Sequence, residues 1–197
     1  MLMKKAEIII ATLSLLAVGM NIFLISGGST LCAMLLMTLS AFYFYFGFAL
    51  FNDIKIREIV HKETFTRIST LRIIGAIGSG MALCISIIGI LFKLFSWPGA
   101  NVLLYAGLIG LLFVSLIGLS KYLTNKSSFY LKILRRTIIV GVFGLILFLL
   151  PNMSIMEFKY RNYPEYINAY KKACENPDNE DLWKIVDTER QKIYNGD

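Results

Sequence analysis

The chain has 197 residues and a formal net charge of +7, with 56% hydrophobic and only 17% charged residues and a mean hydropathy of +0.64. A water-soluble domain of this size cannot hide that much apolar surface, and the apolar residues run in long blocks rather than amphipathic periods, which marks an all-α integral membrane protein. The basic residues lie mostly between those blocks, where they set topology and meet anionic lipid, so the positive charge is not read as a nucleic-acid footprint.

In chain order, Lys4 and Lys5 precede a first apolar block from Ile8 to Ile25. No A-x-A-like cleavage site follows it, and Ser29-Thr30-Leu31-Cys32 is a poor lipoprotein box, so an uncleaved first span is expected. The turn "SGGST" then leads into a second block, Leu31 to Phe51, whose aromatic run "AFYFYFGFALFN" places Tyr45, Phe46, Phe48 and Phe51 in an interfacial belt. The basic loop that follows carries Lys55, Arg57, Lys62, Arg67 and Arg72, and Ile56, Ile59, Val60, Phe65, Ile68 and Leu71 space its apolar residues as an interfacial amphipathic helix would. The lone His61 falls in this loop and cannot build a metal site alone.

A third block, Ile73 to Phe95, and a fourth, Val102 to Leu119, are joined by "SWPGAN". Pro98 and Gly99 reverse the chain, Trp97 suits the headgroup level, and Lys93 lies close enough to that boundary to snorkel outward as an anchor. A second basic loop holds Lys121, Lys126, Lys132, Arg135 and Arg136, and a fifth span is expected over Thr137 to Met156, a charge-free run despite Pro151. Twelve basic residues thus lie on one side and none in the two tight turns, which places the N-terminus in the cytoplasm and, with five spans, the C-terminus outside. The fold expected is two hairpins of parallel topology plus one span over residues 1–156, followed by a periplasmic helical-hairpin tail over 157–197. Near an offset of 70, "LAVGMNIFLISGGST" lies over "SIIGILFKLFSWPGA", which suggests an internal duplication.

The tail breaks at Asn176-Pro177-Asp178-Asn179 and reads as two short helices. Ile167, Tyr170 and Cys174 form one stripe and Leu182, Ile185, Val186 and Ile193 the other, to be packed together or, with Tyr170 and Trp183, offered to a partner. Its seven basic and nine acidic residues give no phosphate-binding pattern.

Little chemistry is written in the spans. Lys93 is the one charge inside the blocks as bounded above, and Asn21, Thr38, Ser40, Ser79, Ser86 and Ser115 are expected to bond between helices or back to their own carbonyls. Ala76 and Gly80, with Gly107, Gly110, Gly141 and Gly144, supply small-residue surface for close helix packing. Cys32, Cys84 and Cys174 make no metal or disulfide pattern. No nucleophile–base pair, catalytic carboxylate pair or phosphate loop is present, so no catalytic, cofactor or metal residues are assigned and a non-enzyme is expected.

The stretch "IIGILFKLFSWPGANVLLYAGLIGLL" resembles the transmembrane hairpin of the GldL family, membrane proteins of gliding motility and type IX secretion in Bacteroidota. Gly89, Phe92, Lys93, Gly99, Gly107 and Leu108 carry the resemblance over about 30 residues, and small multi-span proteins of the same bacteria with a Phe-Lys…Trp-Pro-Gly-Ala hairpin look more similar still. The family's proton-carrying glutamate is replaced by Leu111 and its turn histidine by Ser96, so the resemblance implies lineage and fold rather than a proton-driven motor.

The expectation that results is an inner-membrane interaction or assembly subunit, with Lys93, Trp97, Pro98, Gly99, Tyr170 and Trp183 as interface or anchor residues. Its expected partners are the lipid bilayer, anionic lipid at the cytoplasmic loops, and a membrane or periplasmic protein or a second copy. The alternative is a small channel or transporter whose polar route runs by Lys93, Ser86, Ser96 and Asn101.

Overall fold

The computed structural model describes residues 2–58 and 68–195. His61, and Ile59, Val60 and Phe65 of the expected interfacial helix, lie outside the described residues. Every regular element described is helical: α1 (Leu2–Ile22), α2 (Gly28–Phe51), a 3₁₀ turn (Ile56–Glu58), α3 (Thr70–Leu94), α4 (Ala100–Asn125), α5 (Ser128–Leu149), α6 (Asn152–Lys159), α7 (Pro164–Glu175) and α8 (Glu180–Asn195).

Four helices, α1 to α4, are long and apolar enough to cross a membrane, and a fifth span is added if α5 and α6 are counted together. α5 fails by itself because Lys132, Arg135 and Arg136 occupy its first turns. The helix stops at Leu149 rather than running to Met156: Leu150 is extended before Pro151, as residues ahead of proline prefer, and α6 leaves at 93° to α5. The first turn lies three residues earlier than the sequence reading placed it, at 23–27 rather than 26–30, so α1 ends at Ile22 and α2 begins at Gly28; the second lies at 95–99. At the other end α1 starts at Leu2, which brings Glu7 inside the helix.

Neighbours in sequence are neighbours in space. α1 lies along α2, α2 along α3, α3 along α4, and α5 against both α4 and α3. Small residues set the spacing. A Cβ on Gly107 would lie 2.7 Å from the Ser86 Cα, one on Gly89 2.7 Å from the Leu104 Cα, and one on Gly80 2.6 Å from the Tyr43 carbonyl oxygen. Backbones approach this closely in lipid because packing, not water exclusion, holds such helices together. The expected polar bonds form in both ways: Thr38, Ser79 and Ser86 donate to carbonyls one turn back, while Ser115 donates to Thr137 of α5 at 2.8 Å and Ser40 meets Cys84 of α3 at 3.0 Å.

The two hairpin turns share one geometry, at positions 72 residues apart. Leu24 and Ser96 both adopt positive φ (54° and 52°), and Gly27 and Gly99 follow at 74° and 80°. The amide of Ile25 donates to Met20 and that of Trp97 to Phe92, both at 2.9 Å, closing the same Schellman-type helix end. The turns therefore correspond at an offset of 72 rather than 70, so that Asn21 falls over Lys93 and Ser29 over Asn101.

Candidate functional site

Polar side chains gather at the two ends of the bundle, which differ in chemistry. At the end bearing the basic loops, Glu7 of α1 is only 6% exposed. Its carboxylate accepts a 2.8 Å hydrogen bond from the Tyr43 hydroxyl of α2. It also accepts a two-pronged contact from the Arg136 guanidinium of α5 through Nε and Nη2. Arg136 is itself held by a bond from Nη1 to the Lys132 carbonyl (2.8 Å) and lies 5.5 Å from the Phe51 ring, which is fully buried beneath it. Beside this cluster, Asp53 accepts from Lys4 at 2.7 Å and from Lys132. Partial burial pushes the Asp53 carboxyl up, but the Lys132 and Lys4 ammonium groups outweigh it and hold the group below the usual carboxylate range. α1, α2 and α5 are thereby tied at one level.

At the turn end two lysines are buried without an ion pair among the described residues. Lys93 is 1% exposed and donates to Asn101 at 2.7 Å. Its side chain is covered and runs along the turn to Asn101, an exposed residue in the first turn of α4. Lys159 of α6 donates to Asn21 at 3.0 Å, Asn21 donates to Ser29 at 2.9 Å, and the ammonium lies 5.4 Å from the Phe95 ring. Each turn thus carries an ammonium bound to an asparagine oxygen: Lys93 from within α3 for one, Lys159 of α6 for the other.

Lys159 also joins the tail to the bundle. α7 and α8 pack on each other around Tyr166, Ala173 and Val186, with Leu24 of the first turn against the same cluster. The buried stripe of α7 is Tyr166 and Ala173, one residue ahead of the expected Ile167 and Cys174, so Cys174 is exposed. Tyr170 and Trp183 meet edge to face at 5.9 Å, and the Trp183 Nε1 donates to the Pro177 carbonyl at 2.9 Å. The other sequence candidates remain at the second turn: Trp97 packs on Phe92 at 5.1 Å and on Phe95 at 5.2 Å, and Pro98 precedes the left-handed Gly99. Of the route set, Lys93 and Asn101 come together. Ser86 turns back to the Ala82 carbonyl, and the buried Ser96 Oγ has no partner among the described residues.

Sequence reasoning missed Glu7, Tyr43, Asp53, Arg136 and Lys159. The first and fourth were visible as an acid and a base just outside spans drawn from Ile8 and from Thr137; only the longer helices bring them inside. Among the described residues, no group of three His, Cys, Asp or Glu side chains is placed to hold a metal ion. No protein-family model, curated protein or solved structure matches the chain.

Proposed function

We propose that this chain is a non-enzymatic subunit of a bacterial inner membrane, crossing it five times with its N-terminus in the cytoplasm, and that it binds another envelope protein through its spans and its periplasmic tail. The observation that carries the reading is the tail. Helices α7 and α8 form a folded hairpin fastened to the bundle through Lys159, Leu24 and a 2.6 Å ion pair between Lys171 and Glu157. A tail docked this way presents a fixed surface, with Ile185 51% exposed and Tyr163 36% exposed on it. Neutralising contacts to Glu7 and Asp53 support α5 as a span, since they offset two of the three basic charges in its first turns.

The test is affinity purification in mild detergent from cells carrying wild-type protein or Ile185→Asp. That substitution is on the exposed face and leaves the Tyr166–Val186 core in place. A specific envelope partner is expected with the wild type, reduced at least tenfold by the variant; an identical set of proteins in both would contradict the tail's role.

The transporter reading is favoured by one observation, the buried Glu7 carboxylate with Tyr43 and Arg136, because ionisable groups inside a bundle commonly mark ion pathways. Under that reading wild-type proteoliposomes show flux that Glu7→Gln or Lys93→Met abolishes.

A further inference from the structure

Helix α6 leaves α5 at 93°, so it runs across the end of the bundle instead of onward along the fifth span. Its one acid, Glu157, is bound by Lys171 of α7 at 2.6 Å, and its Lys159 turns inward to Asn21. Its exposed side carries Ser154 and, one turn on, Phe158, which is 57% exposed. Phe23 of the first turn is 63% exposed, on the same side as the exposed Leu16 of α1. Arg161, just past α6, lies over both rings: its guanidinium carbon is 5.1 Å from the Phe158 centroid and 5.8 Å from that of Phe23. Arg161 is exposed, and its Nη1 donates to the Phe158 carbonyl at 3.1 Å. Among the described residues no carboxylate pairs with it.

We propose that α6 lies flat in the membrane interface on the face bearing the tail, and that Arg161, Phe158 and Phe23 bind the phosphodiester of an anionic phospholipid there. In water the two rings would stay wet, and in the hydrocarbon Arg161 would be a charge without a partner; the headgroup level satisfies both. A short helix in the plane of the interface rests its apolar side chains on the acyl chains and turns its cation to the headgroups. The planar guanidinium, held on the rings, presents its remaining N–H groups to phosphate oxygens. The patch continues the outward apolar sides of α1 and α5, where Leu16 and Leu149 are exposed, so lipid rather than a partner protein is the occupant assigned. The assignment rests on the membrane-spanning reading above but not on its orientation.

The test uses the full-length protein in phosphatidylcholine vesicles, with Trp97→Phe and Trp183→Phe removing the native tryptophans and Phe158→Trp introducing one. Bromine atoms near the top of the acyl chains are expected to quench its fluorescence more than bromine atoms near the chain ends, and aqueous iodide is expected to quench it weakly. Phe113→Trp, exposed in the middle of α4, is expected to show the reverse depth order. Brominated phosphatidylglycerol is expected to bind beside Phe158→Trp about fivefold more strongly than phosphatidylcholine with the same chains, the gain for one basic residue beside an anionic lipid. Arg161→Gln is expected to remove that preference and to keep the depth order, which shows that the variant is folded. Lys126→Gln, exposed at the far end of α4, is expected to leave the preference unchanged. Strongest quenching by chain-end bromines or by iodide, equal binding of the two lipids, or a preference that survives Arg161→Gln would each overturn the proposal. Failure at Phe158→Trp alone overturns only the placement of α6, whereas failure of the depth order at Phe113→Trp overturns the spanning reading as well.

Discussion

Arg136→Leu is expected to destabilise the detergent-solubilised protein by about 3–5 kcal/mol, the cost of leaving a buried charge without its partner. Glu7 cannot move to water from the second turn of α1, and Tyr43 offers it only one neutral hydrogen bond. Glu7→Leu is expected to do comparable harm for the converse reason. The double substitution Glu7→Leu with Arg136→Leu removes both charges and is expected to recover most of the loss, since a buried ion pair replaced by apolar groups of similar volume is often close to neutral. Tyr43→Phe removes one hydrogen bond and is expected to cost about 1–2 kcal/mol. Thermal unfolding of the four variants measures this directly. Additive losses in the double variant would mean that Glu7 and Arg136 do not act on one another.

The second large effect is expected at Gly107. Its missing Cβ would lie 2.6 to 2.8 Å from the Ser86 Oγ, Cα and N, and backbone atoms of a packed helix cannot step aside. Gly107→Ala is therefore expected to force α3 and α4 apart and to cost about 1–3 kcal/mol, the range for overpacking a well-filled interior, with Gly107→Leu preventing assembly of the bundle. Gly78 provides the contrast. Nothing lies within 4 Å of its Cβ position, so Gly78→Ala is expected to be neutral or to stabilise α3 by up to about 1 kcal/mol. A loss at Gly78 equal to that at Gly107 would show that helix backbone preference, rather than the α3–α4 approach, explains both.

The spans and their turns were legible in the sequence because long apolar blocks and the Gly27 and Gly99 turns are local signals. The fifth segment is displaced rather than shortened: α5 runs from Ser128 to Leu149 where Thr137 to Met156 was expected, since the absence of charge up to Met156 says nothing of the bend that Leu150 and Pro151 impose. The polar clusters were harder to see for a physical reason. Glu7, Asp53 and Arg136 lie at helix ends, where a charge usually meets water or headgroups, and only the packing of α5 near α1 and α2 gives each an opposite charge. The partner of Lys93 was hidden for a similar reason: Asn101, eight residues on and exposed in the first turn of α4, comes within reach only once the turn closes. In the tail, the helices and the break between them were legible, but the buried stripe of α7 lies one residue earlier because the Tyr166 ring packs at a tilt against Tyr160 at 4.4 Å, a contact made across the bend after α6.

The side of the membrane on which the tail lies decides the orientation and the fifth span together. Cys174 is the exposed thiol of the three, Cys84 is half-buried against Ser40 and Cys32 is fully buried, so a thiol reagent that cannot cross membranes reads the position of the tail. In intact spheroplasts the reagent is expected to label the protein at Cys174, and Cys174→Ser is expected to abolish that label. Labelling of Cys174 only after lysis would place the tail in the cytoplasm and contradict the fifth span, the orientation and the periplasmic partner together.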